Sequence, residues 1–114
     1  MSDHCNVENL IDFLSHKHML SILKLMHTTT RPVRFGEIRD TLGLNTKTLS
    51  TRLKELEKAN LINRMSYDTI PPRVEYELTD QGKDMEEIFK KLEEFEVKHV
   101  IPTPEVIPQN PIID

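Results

Sequence analysis

The stretch Gly43–Ala59, GLNTKTLSTRLKELEKA, puts leucines on one face of a helix and lysines and hydroxyls on the other. Wound at ~100° per residue, it aligns Leu49, Leu53 and Leu56 in one direction. Lys47, Thr51, Lys54 and Lys58 then point almost opposite, with Thr48, Ser50 and Glu55 on the flanks. The spacing predicts a helix from about Lys47 to Ala59. Gly43 is a good C-terminal stop for a helix before it, and Asn45 or Thr46 a good N-cap for the helix after it. Upstream, Phe35, Ile38 and Leu42 recur at i, i+3 and i+7, which predicts a short helix from Phe35 to Leu42. Two short helices across a tight turn containing Gly make the helix-turn-helix pattern, which other αα-hairpins share.

The next segment narrows the choice. Asn60 ends the helix, and Leu61 to Tyr67 reads as a strand. Asp68-Thr69-Ile70-Pro71-Pro72 must be a loop, because prolines cannot donate to a ladder. Arg73 to Thr79 alternates, with Val74, Tyr76 and Leu78 on one face and polar residues on the other. A hairpin directly after a candidate recognition helix is a wing. The expected class is mainly α (α+β), a winged helix-turn-helix with a helix at each end.

Residues 7–28 read as helix with a break near Ser15. Asn6 can cap it, and the apolar residues from Leu10 to Met26 recur at helical spacing. The run Thr28-Thr29-Thr30 and then Pro32 stop it. A capped helix from Thr79 to about His99 carries Met85, Ile88, Phe89, Leu92 and Phe95 in one stripe. Such a stripe needs a cover, and a second copy of the chain supplies one economically. Leu10, Phe13 and Leu14 of the first helix join it as candidate dimer-interface residues. Pro102, Pro104, Pro108 and Pro111 predict an extended or disordered tail over 101–114.

At 114 residues the chain fits one domain, and its hydrophobic fraction of 37% leaves room for burial against a partner copy. No stretch approaches the ~20 apolar residues of a membrane helix, and the amino terminus shows no signal-peptide core. A cytoplasmic protein without membrane partners is expected. The single cysteine precludes an intrachain disulfide. The net charge is −4, yet Arg31 to Arg64 holds eight cations against four anions. Phosphate contacts depend on such local excess rather than on the total, although a solvated surface of mixed sign shows the same count. The three glycines form no phosphate loop or nucleophile elbow, so no enzyme and no cofactor is expected. His16 and His18, at i, i+2 on a helix, would diverge, and no metal site is expected.

Five stretches resemble the HxlR family of winged-helix regulators, relatives of MarR. They are Cys5, Arg34-Phe35-Gly36-Glu37-Ile38, Thr48 to Leu56, Pro71-Pro72-Arg73-Val74-Glu75-Tyr76, and Leu78-Thr79-Asp80-Gln81-Gly82. The resemblance implies a homodimer on a pseudo-palindromic operator, regulating transcription. It implies a DNA-binding domain over 1–100, with the helix-turn-helix at about 35–59, the wing at about 61–79 and a dimer helix at about 80–99. The family usually has Gly-Gly-Lys-Trp where this chain has Ser15-His16-Lys17-His18. In the family's redox-sensing branch a cysteine at the position of Cys5 reacts with oxidants or electrophiles. A lone thiol can equally be inert. An effector, small molecule or oxidant, is allowed for.

Candidate DNA-binding residues are Arg34, Thr46, Lys47, Thr48, Ser50, Thr51, Lys54 and Arg73. Lysines reach phosphates or guanine acceptors, and Thr and Ser approach base edges closely. Arg34 is a phosphate contact or simply solvated. Arg73 either enters a minor groove or pairs with Asp68 or Glu75. Arg52, only ~60° from the leucine direction, is expected to pair with a carboxylate such as Glu37 rather than touch a base. A rival reading is a winged helix that binds protein, for which cations on the recognition face would be out of place.

Overall fold

The computed structural model describes residues 7–99. The elements run α1 (Val7–Leu14), α2 (Met19–Thr28), β1 (Val33–Arg34), α3 (Phe35–Leu42), α4 (Thr46–Lys58), β2 (Ile62–Tyr67), β3 (Arg73–Leu78) and α5 (Asp80–His99). The chain divides into two compact units between Asp84 and Met85. The expectations for Cys5 and for the tail lie outside the described residues.

The break at Ser15 is a turn built from local bonds. Ser15 Oγ donates to the Asp12 carbonyl at 2.7 Å, and His18 adopts the left-handed region at φ 69°. His16 and His18 therefore lie in this turn, not on a helix as the i, i+2 reasoning assumed. From Met19 the helix resumes with Met19, Ile22, Leu23 and Met26 buried. Its end comes where the Thr28 and Thr29 hydroxyls bond back to the Leu25 carbonyl at 3.0 and 2.8 Å. β-Branched residues that compete for backbone acceptors end helices in this way.

Strand β1 was not expected. Two residues after Pro32 carry no detectable alternation, yet Val33 pairs with Tyr76 and Arg34 with Glu75. The sheet is antiparallel in the order β1-β3-β2, so β3 is central. Its predicted polar face is consequently half-buried, Glu75 and Glu77 included. The hairpin registers Arg64 with Tyr76 and Tyr67 with Arg73.

Leu49, Leu53 and Leu56 are buried with Ile38, Val33, Leu44, Ile62 and Tyr76, which fixes the inner face of α4. Gly43, at φ 64°, closes α3 in the left-handed region that glycine tolerates. Gly82 serves closeness instead, because a Cβ there would overlap the Leu61 carbonyl oxygen. The adjoining Thr79 hydroxyl donates to the Asn60 carbonyl at 2.8 Å and accepts from the Gly82 N–H at 2.9 Å.

Not all of the candidate dimer-interface residues are exposed. Leu14, Met85 and Phe89 are already buried in the single chain, and Phe13 is half-buried. Leu10 remains exposed, and on α5 Ile88, Leu92 and Phe95 are 41%, 54% and 52% exposed.

Candidate nucleic-acid interface

The start of α4 is fixed by Asn45, whose side-chain oxygen accepts from the backbone N–H groups of Lys47 at 2.7 Å and Thr48 at 3.3 Å. This cap, with the three buried leucines, sets which way the helix faces. Thr46, Lys47, Thr51, Lys54 and Lys58 are exposed, and Thr48 and Ser50 are half-buried at the edges. The Thr51 hydroxyl donates to the Lys47 carbonyl at 3.0 Å, which leaves its oxygen free to accept. The row is the combination of hydroxyls and mobile cations that a major groove accommodates.

Arg64 on β2 belongs to the basic middle of the sequence and lies outside the candidate DNA-binding residues read from it. It is exposed and lines, with Ser50 and Lys54, a cavity of about 310 Å³ beside the recognition helix. No period in β2 marks it, since Asn63 and Arg64 are exposed in succession.

Arg73 of the wing and Arg34 at the end of β1 converge on one carboxylate. Arg73 Nε lies 3.3 Å from Glu75 Oε2, and Arg34 Nε lies 4.0 Å from the same oxygen. The Arg73 guanidinium also sits over the Tyr67 ring, 4.4 Å from its centroid. Its Nε is buried without an aligned hydrogen bond, so the contact with Glu75 is an ion pair only. Of the two carboxylates weighed for Arg73, Glu75 is the partner. Both arginines line a groove of about 480 Å³ between the start of α3 and the wing loop. Two guanidiniums on one carboxylate leave this corner positive.

Glu37 holds the neighbouring turn. Its oxygens accept from Arg31 at 3.0 and 2.6 Å and from the Arg34 backbone N–H at 3.1 Å. The Arg31 hydrogen bond first, and then the Arg34 N–H, hold its carboxyl down to about 2.

Arg52 is packed against the domain as expected, but its partner differs. Glu37 is occupied by Arg31, and Arg52 Nη1 instead donates to Glu55 Oε1 at 2.6 Å, one turn along α4. Its Nε donates to the Lys17 carbonyl at 2.9 Å. Burial pushes the Glu55 carboxyl up, but hydrogen bonds from Arg52 and His16 outweigh it and hold the group below its usual value. Among the described residues no group of three His, Cys, Asp or Glu side chains could hold a metal ion. No helix there is long and apolar enough to cross a membrane.

Residues 13–103 match the family model described as HxlR-like helix-turn-helix. An HTH-type transcriptional regulator of Synechocystis is 39% identical over 86 residues, which cover 75% of this chain and 62% of that relative. The chain thus spans less than two thirds of the length of that relative. Among solved structures, the reduced form of the transcriptional regulator YodB from B. subtilis superposes with a TM-score of 0.75 at 27% identity, over 84% of this chain and 93% of that one. The redox regulator HypR in its oxidized form gives a TM-score of 0.69 at 28% identity, over 84% and 98%. The winged arrangement of helices and sheet is common to this chain and these regulators.

Proposed function

Because the chain belongs to the HxlR-like helix-turn-helix family, we propose that it is a DNA-binding transcriptional regulator that works as a homodimer in the cytoplasm. In this reading α4 of each subunit enters a major groove, and the wings lie alongside. The observation that carries it is the exposed row Thr46, Lys47, Thr51 and Lys54, opposite a face of buried leucines on the same helix. Among the described residues neither Lys47 nor Lys54 pairs with a carboxylate, and a helix meant only for packing would not need them. Thr48 and Ser50 add short hydroxyls at the edges of the footprint. Arg34 and Arg73 contribute phosphate or minor-groove contacts from the positive corner of the wing.

The dimer seam is assigned to the apolar residues left exposed, Leu10 on α1 and Ile88, Leu92 and Phe95 on α5. Two-fold symmetry then demands half-sites about one helical turn apart, near 10 base pairs centre to centre, or a multiple of it. Footprinting on a duplex selected from a random-sequence pool tests this. Paired protected grooves at that spacing are expected. A single protected site, or binding that ignores salt, contradicts it.

A second reading adds thiol sensing. It is favoured by the likeness to the redox regulator HypR and by Cys5, the sole cysteine. With no second thiol in the chain, Cys5 would respond by adduct formation or by linking subunits. Quinone or diamide should then change duplex affinity, and Cys5→Ser should abolish the change. An unchanged response in the Ser variant removes this reading without touching the first.

A further inference from the structure

The turn between α1 and α2 is tied to the recognition helix by bonds that contact with DNA does not require. Arg52 uses separate nitrogens for two acceptors on different elements, the Lys17 carbonyl in the turn at 2.9 Å and Glu55 on α4 at 2.6 Å. Glu55 Oε1 also lies 3.4 Å from His16 Nδ1, back in the same turn. The His16 ring in turn lies 5.9 Å from that of Phe13 on α1, tilted by 47°. Arg52 itself is only 19% exposed at its side chain, so it lies along the domain rather than reaching outward. Lys17 presents its carbonyl just before His18, a non-glycine residue in the left-handed region at φ 69°. Such a conformation persists where the surroundings hold it.

We propose that Arg52 is a positioning residue for DNA binding, which fixes the roll of α4 by tying it to the turn at residues 15–18, with Glu55 and His16 as the second strand of the tie. The inference rests on the DNA-binding reading above. Its physical ground is that leucine burial is non-directional and tolerates a small roll of the helix. Functional side chains, by contrast, must be held within roughly 10–20° of their working geometry. Directional bonds from the turn at residues 15–18 supply that constraint. A guanidinium can serve both acceptors at once through its rigid fork, and a lysine ammonium, a point charge, cannot reproduce it.

The position of Arg52 on the helix invites a different role, since it sits among candidate DNA-binding residues and carries a charge. It acts instead through the placement of Lys47, Thr51 and Lys54. It touches the Lys17 carbonyl and Glu55, both within the domain.

The test compares the full-length protein with Arg52→Lys and Glu55→Gln on the tightest duplex selected from a random pool, at several salt concentrations, together with amide exchange of the free proteins. Each variant should weaken binding about tenfold, the scale of one charge-assisted hydrogen bond. The slope of log K against log salt should not change, and amides of α4 should exchange faster while those of α3 do not. Unchanged affinity overturns the proposal, because a merely structural bond lowers the melting temperature without altering binding by folded protein. A slope reduced by about two, one contact from each subunit, overturns it too, because Arg52 is then a phosphate contact. Should Arg52→Lys fold poorly, Glu55→Gln decides, since it keeps the side-chain volume. If the unsubstituted protein binds no duplex, the DNA-binding reading is what fails, and the exchange of α4 still reports whether the tie holds the helix.

Discussion

Glu37 shows at the scale of one residue how the helix-turn-helix is anchored. Its carboxyl is held at about 2 against an ordinary 4.5, chiefly by Arg31. A folded value below the unfolded one means stabilisation that is complete above the ordinary carboxylate range and lost as pH falls toward 2. Glu37→Gln should therefore melt lower at neutral pH, and the gap should close in acid. Thermal melts of both proteins across that range check this, and high salt should narrow the gap because the pair is on the surface. Gly82 makes a different demand, that of a backbone pressed against the Leu61 carbonyl. Gly82→Ala should cost about 1–3 kcal/mol in urea unfolding, the usual penalty of overpacking. The sequence places both residues in recognisable motifs. Which of Arg31 and Arg52 takes Glu37, and what Gly82 must avoid, depend on atoms brought from other elements.

At the scale of elements, α4 carries adjacent side chains with opposite duties. Leu53 is buried and Lys54 is exposed. Leu53→Ala should cost about 2–5 kcal/mol of stability. Lys54→Gln should leave stability within about 0.5 kcal/mol and lower the salt slope of duplex binding by about two, one phosphate contact being lost from each subunit of the dimer. Parallel denaturation and anisotropy titrations separate the two effects. The period of Leu49, Leu53 and Leu56 made this helix and its outward face legible, because one element contains the whole signal. The hairpin was legible for the same reason, through Pro71, Pro72 and the alternation after them. Strand β1 was not, since two residues have no period, and with it went the meeting of Arg34 and Arg73 on Glu75. That meeting follows from the pairing of Arg34 with Glu75 across strands distant in sequence, a property that no local pattern encodes.

At the scale of the whole molecule, association and charge decide the outcome. Ile88, Leu92 and Phe95 remain exposed on α5 and are proposed to meet a second subunit. Phe95→Glu should place a charge in that seam and shift the protein to monomer, which sedimentation can read; an unchanged dimer would move the seam elsewhere. The periodic stripe was legible in the sequence, because one helix contains it, but the exposure of each of its residues was not. The chain is acidic overall yet has a local excess of +4 between Arg31 and Arg64. DNA binding driven by that excess must release counterions. The most direct measurement is the affinity for a selected duplex as a function of salt. If about six phosphates are neutralised per dimer, log K should fall against log salt with a slope near −5. A slope indistinguishable from zero would contradict the claim that the outward face of α4 is a DNA-binding surface.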